Sequence, residues 1–195
     1  MQIDYDILVT YGGITRKYDK GAIVFWEGDA PLYFYQIVEG SVKMFSTNSE
    51  GKDLIQGTFA AGDSFGEPPL FINKNYPATA QTSSPAVIVR LSKERLLNIL
   101  HDYPEMQTTM LYMFAERIYN KAHSTQIWHC KTAEEKITRL LRHMKGNAQR
   151  QPVLINKTRQ EIADLTGLRV ETVIRTLLKM ERDQKVKIVD HKIYY

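Results

Sequence analysis

The stretch TRQEIADLTGLRVETVIR, residues 158–175, carries the pattern that decides the fold of the last third of the chain. Thr158 and Glu161 form a Thr-x-x-Glu capping box, which is typical of the first turn of a helix. The spacing Ala163-x3-Gly167-x5-Val173 then gives a small residue where two helices touch, a glycine turn and a β-branched core residue in the second helix. This pattern predicts a helix-turn-helix.

The segments on either side of this motif extend it into a compact module. Upstream, a second capping box (Thr132 and Glu135) precedes an apolar periodicity that predicts another helix, followed by a polar loop from Gly146 to Pro152. Downstream, two short β-rich runs flank Asp190-His191 and predict a hairpin, or wing. The expected result is a winged helix-turn-helix over residues 131–195.

The charge of the chain is divided unevenly. Residues 1–130 hold 11 Lys/Arg against 14 Asp/Glu, whereas residues 131–195 hold 15 against 8, a net charge of +7. A basic module after a mildly acidic one indicates a polyanionic partner such as DNA. On charge alone, a solvated lysine-rich surface is the alternative.

The second helix of the motif is expected to run from about 170 to 183, and its core positions indicate which side chains face DNA. Val173, Leu177 and Met180 follow core spacing, which leaves Glu171, Thr172, Arg175 and Lys179 on other faces. Arginine donors match guanine O6 and N7, and a glutamate can accept from cytosine N4. A Glu171–Arg175 ion pair at i, i+4 is the purely structural alternative. The expected phosphate contacts are Lys157, Thr158, Arg159, Arg169, Lys179, Lys187 and Lys192.

The first half of the chain has a different period. Glycines 28, 40, 51 and 62 lie 11 or 12 residues apart, in turn sequences such as Glu50-Gly51. Short runs rich in β-branched and aromatic residues separate the turns, and the predicted strands cover 23–25, 33–38, 41–45, 54–59 and 86–91. Strands at this spacing predict a β-roll or jelly roll, a shape that can enclose a small ligand.

Two helices are predicted after the roll. Ser92 caps the first, over 93–101, and Pro104 starts a longer one that ends near Gln126. Along the longer helix run Met106, Met110 and Met113, and beside them Leu111, Phe114, Ile118 and Ala122. Two neighbouring apolar stripes predict one contact with the roll and one with a second subunit, with Met106, Met110, Met113 and Phe114 as the expected dimer residues. A single wide stripe inside one subunit is the alternative.

Several classes of protein are disfavoured by composition. One cysteine, Cys130, allows no internal disulfide and no site built on several thiolates, and it suits a reducing cytoplasm. No apolar run approaches the roughly 18 residues of a membrane span, and no export leader is apparent. A metalloenzyme on a similar roll would need histidines inside it, but all five histidines follow the predicted roll. His129-Cys130 beside Trp128 is a lone pair at a helix end, an arrangement that is usually incidental, so we expect no metal site there.

Two motifs resemble those of one family. GDSFGE, residues 62–67, resembles the signature of cyclic-nucleotide-binding β-rolls, and residues 158–163 with 170–175 are similar to the winged helix of CRP/FNR regulators. The resemblance implies an α+β chain with a double-stranded β-helix (jelly-roll) sensor domain at 1–100, a dimerisation helix and hinge at 101–130, and a DNA-binding domain at 131–195. The implied protein is a transcription regulator and not an enzyme.

The resemblance also implies how such a regulator works. It would be an effector-responsive homodimer that binds a palindromic double-stranded DNA operator and contacts RNA polymerase, without a membrane. The recognition helix looks closer to the FNR branch, and Ile174, apolar where the family often has a small residue, is a further base-reading candidate through a thymine methyl. The alternative is a sensor module that regulates a partner protein without binding DNA.

The residues that bind effectors in the family are matched less well by this chain. The implied pocket comprises Gly66, Glu67, Tyr76, Pro77 and Ala78, and cyclic-AMP-binding members have an arginine where this chain has Tyr76-Pro77. An anionic phosphodiester buried without a cation would carry a cost of several kcal/mol. We therefore expect neither cyclic AMP nor, with one cysteine, an iron–sulfur cluster. Residues 1–100 also lack the histidine that haem-binding members use, so we expect the pocket to be empty or to take a less anionic molecule than cyclic AMP.

Overall fold

The computed structural model describes residues 3–47, 51, 53–146 and 152–195, and within them all side chains except those of 123–125 and 128. The chain forms two compact units, Met1–Ala115 and Glu116–Tyr195, and the boundary between them falls inside a long helix. Glu50 of the predicted turn and residues 147–151 of the predicted loop lie outside the described residues. No helix in the described ranges is both long enough and apolar enough to cross a membrane.

The first unit is a roll of two antiparallel four-stranded sheets. Its strands are β1 (Ile14–Tyr18), β2 (Ile23–Phe25), β3 (Tyr33–Glu39), β4 (Ser41–Thr47), β5 (Asp53–Ala60), β6 (Ser64–Phe65), β7 (Thr79–Thr82) and β8 (Ala86–Ser92). One sheet has the order β1-β8-β3-β6 and the other the order β2-β7-β4-β5. The predicted β-roll is confirmed.

Four helices accompany the strands of this half of the chain. They are α1 (Tyr5–Thr10), α2 (Glu67–Ile72), α3 (Lys93–Asp102) and α4 (Pro104–Trp128). The Ser92 hydroxyl accepts a hydrogen bond from the Arg95 amide and so caps α3 as predicted. The last helix, α4, extends two residues beyond the predicted end.

Alternation along β3 and β8 separates two apolar clusters. Phe34, Val89 and Leu91 belong to the cluster that includes α3 and the first part of α4. Ile37 and Ile88 point the other way, into the interior of the roll, where the aromatic rings Phe25, Tyr35, Phe65 and Tyr76 fill the space. Since side chains alternate between the faces of a strand, each face of the sheet has its own core.

The apolar residues of α4 face in two directions, but not as the dimer prediction assigned them. Met110 and Met113 are buried in the cluster that includes Leu91, and Met106 and Phe114 pack against the same cluster. These four residues are therefore engaged within their own unit and are not open to a partner. The exposed apolar residues are instead those beside them: Leu111, Tyr112, Ile118 and Tyr119.

The second unit has the predicted winged helix-turn-helix architecture. Its elements are α5 (Ala133–Lys145), β9 (Leu154–Ile155), α6 (Arg159–Thr166), α7 (Val170–Arg182), β10 (Lys187–Val189) and β11 (Lys192–Tyr194). Both capping boxes are present, at Thr132–Glu135 and at Thr158–Glu161. Gly167 ends α6 with a φ of 66°, a left-handed conformation that glycine adopts at little cost. The three short strands pair in the order β10-β11-β9.

Candidate DNA interface and sensor pocket

The helix α7 presents one buried and one open face. Val173, Leu177 and Met180 are almost completely buried in the core of the second unit. Ala163 and Ile162 of α6 lie in the same core, so α6 supports α7 from behind. Because this packing covers only one face of α7, the other side chains of its first turns point outward.

The outward side chains are the predicted base-reading residues. Glu171, Ile174 and Arg175 are exposed, and Thr172 is half-buried. Within the described part of the chain, neither Glu171 nor Arg175 forms an ion pair. The alternative interpretation, an i, i+4 ion pair between these two residues, is therefore not observed. These side chains are free to contact an external partner.

The predicted phosphate-binding residues fall into two groups. Arg169, Lys187 and Lys192 are exposed and form no ion pair with any residue that the structure describes. Arg169 stands at the start of α7, and the two lysines lie on the strands of the wing. These three cations add exposed positive charge to the unit that carries the open face of α7.

The remaining cations of this set have partners inside the unit. The Lys157 ammonium lies 2.8 Å from a Glu161 carboxylate oxygen, and Lys179 lies 3.0 Å from Glu134 on α5. Arg159 Nη1 donates to the His191 carbonyl oxygen at 2.7 Å, which ties the start of α6 to the tip of the wing. The Thr158 hydroxyl accepts a hydrogen bond from the Glu161 amide in the capping box. The contacts with Glu161 are local in sequence, whereas those of Lys179 with Glu134 and of Arg159 with His191 join distant parts of the chain, so sequence spacing gave no sign of them.

The wing is a tight hairpin. Asp190 and His191 both have positive φ, 47° and 62°, the combination found in two-residue type I′ turns. The turn joins two paired strands: Lys187 lies on β10 before the turn, and Lys192 lies on β11 after it. The predicted hairpin around Asp190-His191 is confirmed.

The sensor pocket implied by the family motif is filled by aromatic rings. Tyr76 is buried and stacks on Phe25, with ring centroids 3.7 Å apart and an angle of 11° between the planes. Its hydroxyl donates to the Tyr33 carbonyl oxygen at 3.4 Å, and burial holds the pKa of this phenol above its ordinary value. Gly66 allows this packing, because an added Cβ would lie 3.2 Å from both rings. Tyr76 thus fills interior space in the Tyr76-Pro77 stretch, where the resemblance implies the arginine of cyclic-AMP-binding members.

The other residues of the implied pocket differ in their exposure. Glu67 is fully buried in the first turn of α2, and Ala78 is also buried, whereas Pro77 is exposed. The only cation between Gly66 and Val89 in the sequence, Lys74, is exposed after the end of α2. Among the residues described, no cluster of three or more His, Cys, Asp or Glu side chains could hold a metal ion.

Sequence reasoning missed one group on the interior face of the roll. Arg90 of β8 points inward with Ala86 and Ile88, and its Nε atom is buried without a hydrogen-bond partner. Its guanidinium carbon lies 4.4 Å from the centroid of the Tyr33 ring. The alternation Ala86-x-Ile88-x-Arg90 was the signal that could have revealed it.

Comparisons with known proteins agree with this architecture. The family profile described as "Cyclic nucleotide-binding domain" matches residues 15–103, and the one described as "Crp-like helix-turn-helix domain" matches residues 132–194. The cAMP-activated global transcriptional regulator CRP of Haemophilus influenzae is 27% identical over 176 residues, 88% of this chain and 78% of that protein. The transcriptional activator protein Anr of Pseudomonas protegens is 23% identical over 176 residues, 88% of this chain and 72% of that protein.

A solved structure shares the fold. The c-di-GMP responsive global regulator CLP of Xanthomonas campestris superimposes with a TM-score of 0.71 at 22% identity, over 97% of this chain and 96% of that one. The relatives are DNA-binding regulators and not enzymes, which confirms the non-enzymatic prediction and favours DNA binding over a module that acts only on a partner protein. With both domains present in this order, the chain belongs to the CRP/FNR family of DNA-binding transcription regulators.

Proposed function

We propose that this regulator acts in the cytoplasm as an effector-responsive homodimer that binds a palindromic operator through α7. The observation that carries the proposal is the open face of α7, where Ile174 is exposed and neither Glu171 nor Arg175 forms an ion pair with a described residue. The unit that contains this face has a net charge of +7 over residues 131–195, which suits a polyanion.

Base reading is assigned to the first two turns of α7. Arg175 offers two parallel donors to guanine O6 and N7, and Glu171 accepts from a cytosine or adenine amino group. Ile174 is exposed on the same face, and a thymine methyl group is an apolar partner that it can contact there. Thr172 completes the set at the edge of the face.

Phosphate binding is assigned first to the unpaired cations. Arg169, Lys187 and Lys192 need to break no internal contact before they bind. Thr158 and Lys157 stand at the start of α6, where helix amides also favour an anion. Lys157 must exchange its Glu161 partner for the phosphate. Lys179 and Arg159 have internal partners, so we assign them a supporting part in holding α5 and the wing in place.

The dimer contact is assigned to the exposed stripe of α4. Leu111 and Ile118 are 69% and 70% exposed, and with Ala115 and Ala122 they follow the 4-3-4 spacing of a coiled-coil seam. A dimer through this seam would bring two copies of α7 to a palindrome with half-site centres about 34 Å apart. RNA polymerase is the further partner that the family implies for a dimer bound beside a promoter.

The effector is proposed to be a molecule other than cyclic AMP. The stacked Tyr76 and the exposed position of Lys74 support this, because the segment between Gly66 and Val89 offers a buried phosphodiester no other cation. Titration calorimetry should show no binding of cyclic AMP at micromolar concentration. A dissociation constant near a micromolar would contradict the proposal, and Pro77→Arg, at an exposed position, tests whether an added cation improves affinity.

Selection of duplexes from a random DNA pool tests the main proposal. The full chain should enrich palindromes whose half-sites are separated by about one helical turn. Enrichment of single half-sites would contradict the dimer. Enrichment of no sequence at all would contradict specific recognition by α7.

A further inference from the structure

Two arginines lie on the inward face of the same sheet of the roll. β1 pairs with β8 so that Ile14 is opposite Arg90 and Arg16 is opposite Ile88. Paired residues on an antiparallel sheet point to the same side, so Arg16 and Arg90 share the face of Ile88, which belongs to the interior cluster. Diagonal neighbours of this kind lie about 7–8 Å apart, close enough for both side chains to bind one ligand.

The neighbours of this pair are aromatic and uncharged. On the other side of Arg90, β3 places Tyr35 directly opposite and Tyr33 on the diagonal. Burial raises the pKa of Tyr35 to about 12, and the guanidinium groups of Arg90 and Arg16 act on the same phenol by lowering its pKa. The two cations and the tyrosines therefore form one cluster, which opens to solvent at the exposed Arg16.

No acidic side chain balances these two charges. In the part of the chain that the structure describes, neither Arg16 nor Arg90 forms an ion pair. The Nε atom of Arg90 is buried and has no hydrogen-bond partner, and the Tyr33 ring covers only the face of its guanidinium group. Arg90 is half-buried with its Nε atom unsatisfied, and like charges on neighbouring strands repel each other, so an anion would stabilise this cluster.

We propose that Arg90 and Arg16 form a binding site for the carboxylate group of a small organic acid, with Tyr33 and Tyr35 beside it. A guanidinium edge matches the two oxygens of a carboxylate, and the aromatic side chains favour a ligand with an apolar part. The site lies on β1, β3 and β8, whereas the family motif implies the nucleotide phosphate at the Gly66–Ala78 segment. The two adjoin at Tyr33, whose carbonyl oxygen accepts a hydrogen bond from the Tyr76 hydroxyl. The inference that this ligand is the effector rests on the proposed function. The inference that the site binds a carboxylate does not.

Thermal unfolding of the full chain at low ionic strength tests the site. Benzoate and propionate at tens of millimolar should raise the unfolding temperature by several degrees, because a ligand that binds only the folded state stabilises it. Benzamide, which has the shape of benzoate without its charge, should have no such effect. Arg90→Gln should remove most of the shift, and so should Arg16→Gln, a change at an exposed position that keeps the test valid if the first variant does not fold.

Lys17→Gln is the matched control. Lys17 is exposed on the same strand as Arg16 but points to the opposite face, so its loss changes the net charge equally and should leave the shift intact. The proposal is overturned if no carboxylate stabilises the wild type or if both arginine variants keep the full shift. It is also overturned if inorganic phosphate alone stabilises the protein through Arg90, since the site would then select phosphate.

DNA is absent from these measurements, and operator binding by the wild type is assayed separately. Operator binding without any effect of carboxylates would refute this site and leave the proposed function standing. Stabilisation by carboxylates without operator binding would do the reverse.

Discussion

Arg175 stands on the exposed face of α7, two residues from the buried Val173, and has no ion pair among the described residues. Arg175→Ala should therefore weaken operator binding by about 1–3 kcal/mol per half-site and relax the preference at one base pair. Fluorescence anisotropy with a panel of single-base operator variants measures both effects. Arg182→Ala, an exposed arginine at the far end of α7, is the matched control and should change neither. An unaltered preference in Arg175→Ala would mean that α7 does not read this base.

Lys187 illustrates the other kind of contact. It is exposed on the wing, and we expect it to bind a phosphate and no base. Lys187→Ala should weaken binding to all duplexes alike, and the slope of log K against log salt should fall by about 1. The measurement is a salt titration with operator and scrambled DNA in parallel. A loss confined to the operator would assign Lys187 to base reading instead.

The residue scale also shows where sequence reasoning stops. Glu171 and Arg175 could be placed on the open face of α7 because helical spacing fixes which residues are buried. Strand alternation equally implied that Arg90 points inward. A charged residue near the end of an apolar strand is, however, easily assumed to face solvent. The internal partner of Arg159 could not be foreseen, since it depends on a contact with the wing 32 residues away.

At the scale of elements, Glu134 joins α5 to the region at the end of α7. Its carboxylate accepts hydrogen bonds from Lys185 and from Lys179, and these bonds hold the pKa of Glu134 below its ordinary value. A lowered native pKa means that the bonds stabilise the folded state above the ordinary pKa of glutamate, and that this contribution is lost as the pH falls through the lowered native value.

Glu134→Gln should accordingly lower the unfolding temperature at pH 7, and its difference from the wild type should shrink as the pH is reduced below about 4. Thermal unfolding followed by circular dichroism across this range is the measurement. Glu171→Gln, which removes an exposed carboxylate without an ion pair, serves as the control and should show no such pH-dependent difference. An equal difference at pH 7 and at pH 3 would contradict a role for the charge of Glu134.

The elements predicted from sequence were those with strong local signals. The capping boxes fixed the starts of α5 and α6, and apolar alternation revealed β8. β1 and β7 were missed because ITRKY and TAQT have polar residues at most positions, and their strand structure comes from pairing with β8 and β4. Two prolines hid α2, although proline suits the first turn of a helix.

At the scale of the whole molecule, α4 carries the exposed apolar stripe that we propose as the dimer contact. Sequence periodicity correctly indicated two apolar stripes, but it could not tell which stripe the roll would cover. The methionines fill the cluster beneath α4, and Leu111 and Ile118 remain exposed. An exposed seam of this spacing is what a second copy of the same helix would bury, at roughly 1.5–3 kcal/mol for each large side chain.

Ile118→Glu should therefore yield a monomer at micromolar concentration, because two buried carboxylates at the seam would face each other across the two-fold axis. Sedimentation velocity measures the change in mass. Ile72→Glu is the matched control: Ile72 is 66% exposed on α2, nearly as exposed as Ile118, and its replacement should leave the dimer intact. The monomeric variant should keep its unfolding temperature to within a few degrees if α4 still packs on the roll.

The same variant separates the two parts of DNA recognition. Each α7 should still bind one half-site, so Ile118→Glu should retain the base preference of the wild type while losing most of its affinity for the palindrome, which depends on two linked contacts. Anisotropy with the full palindrome and with a single half-site makes the comparison. If the variant is monomeric and still binds the palindrome as tightly as the wild type, recognition does not require the two-fold axis. If it remains dimeric, the subunits meet through a surface other than this seam.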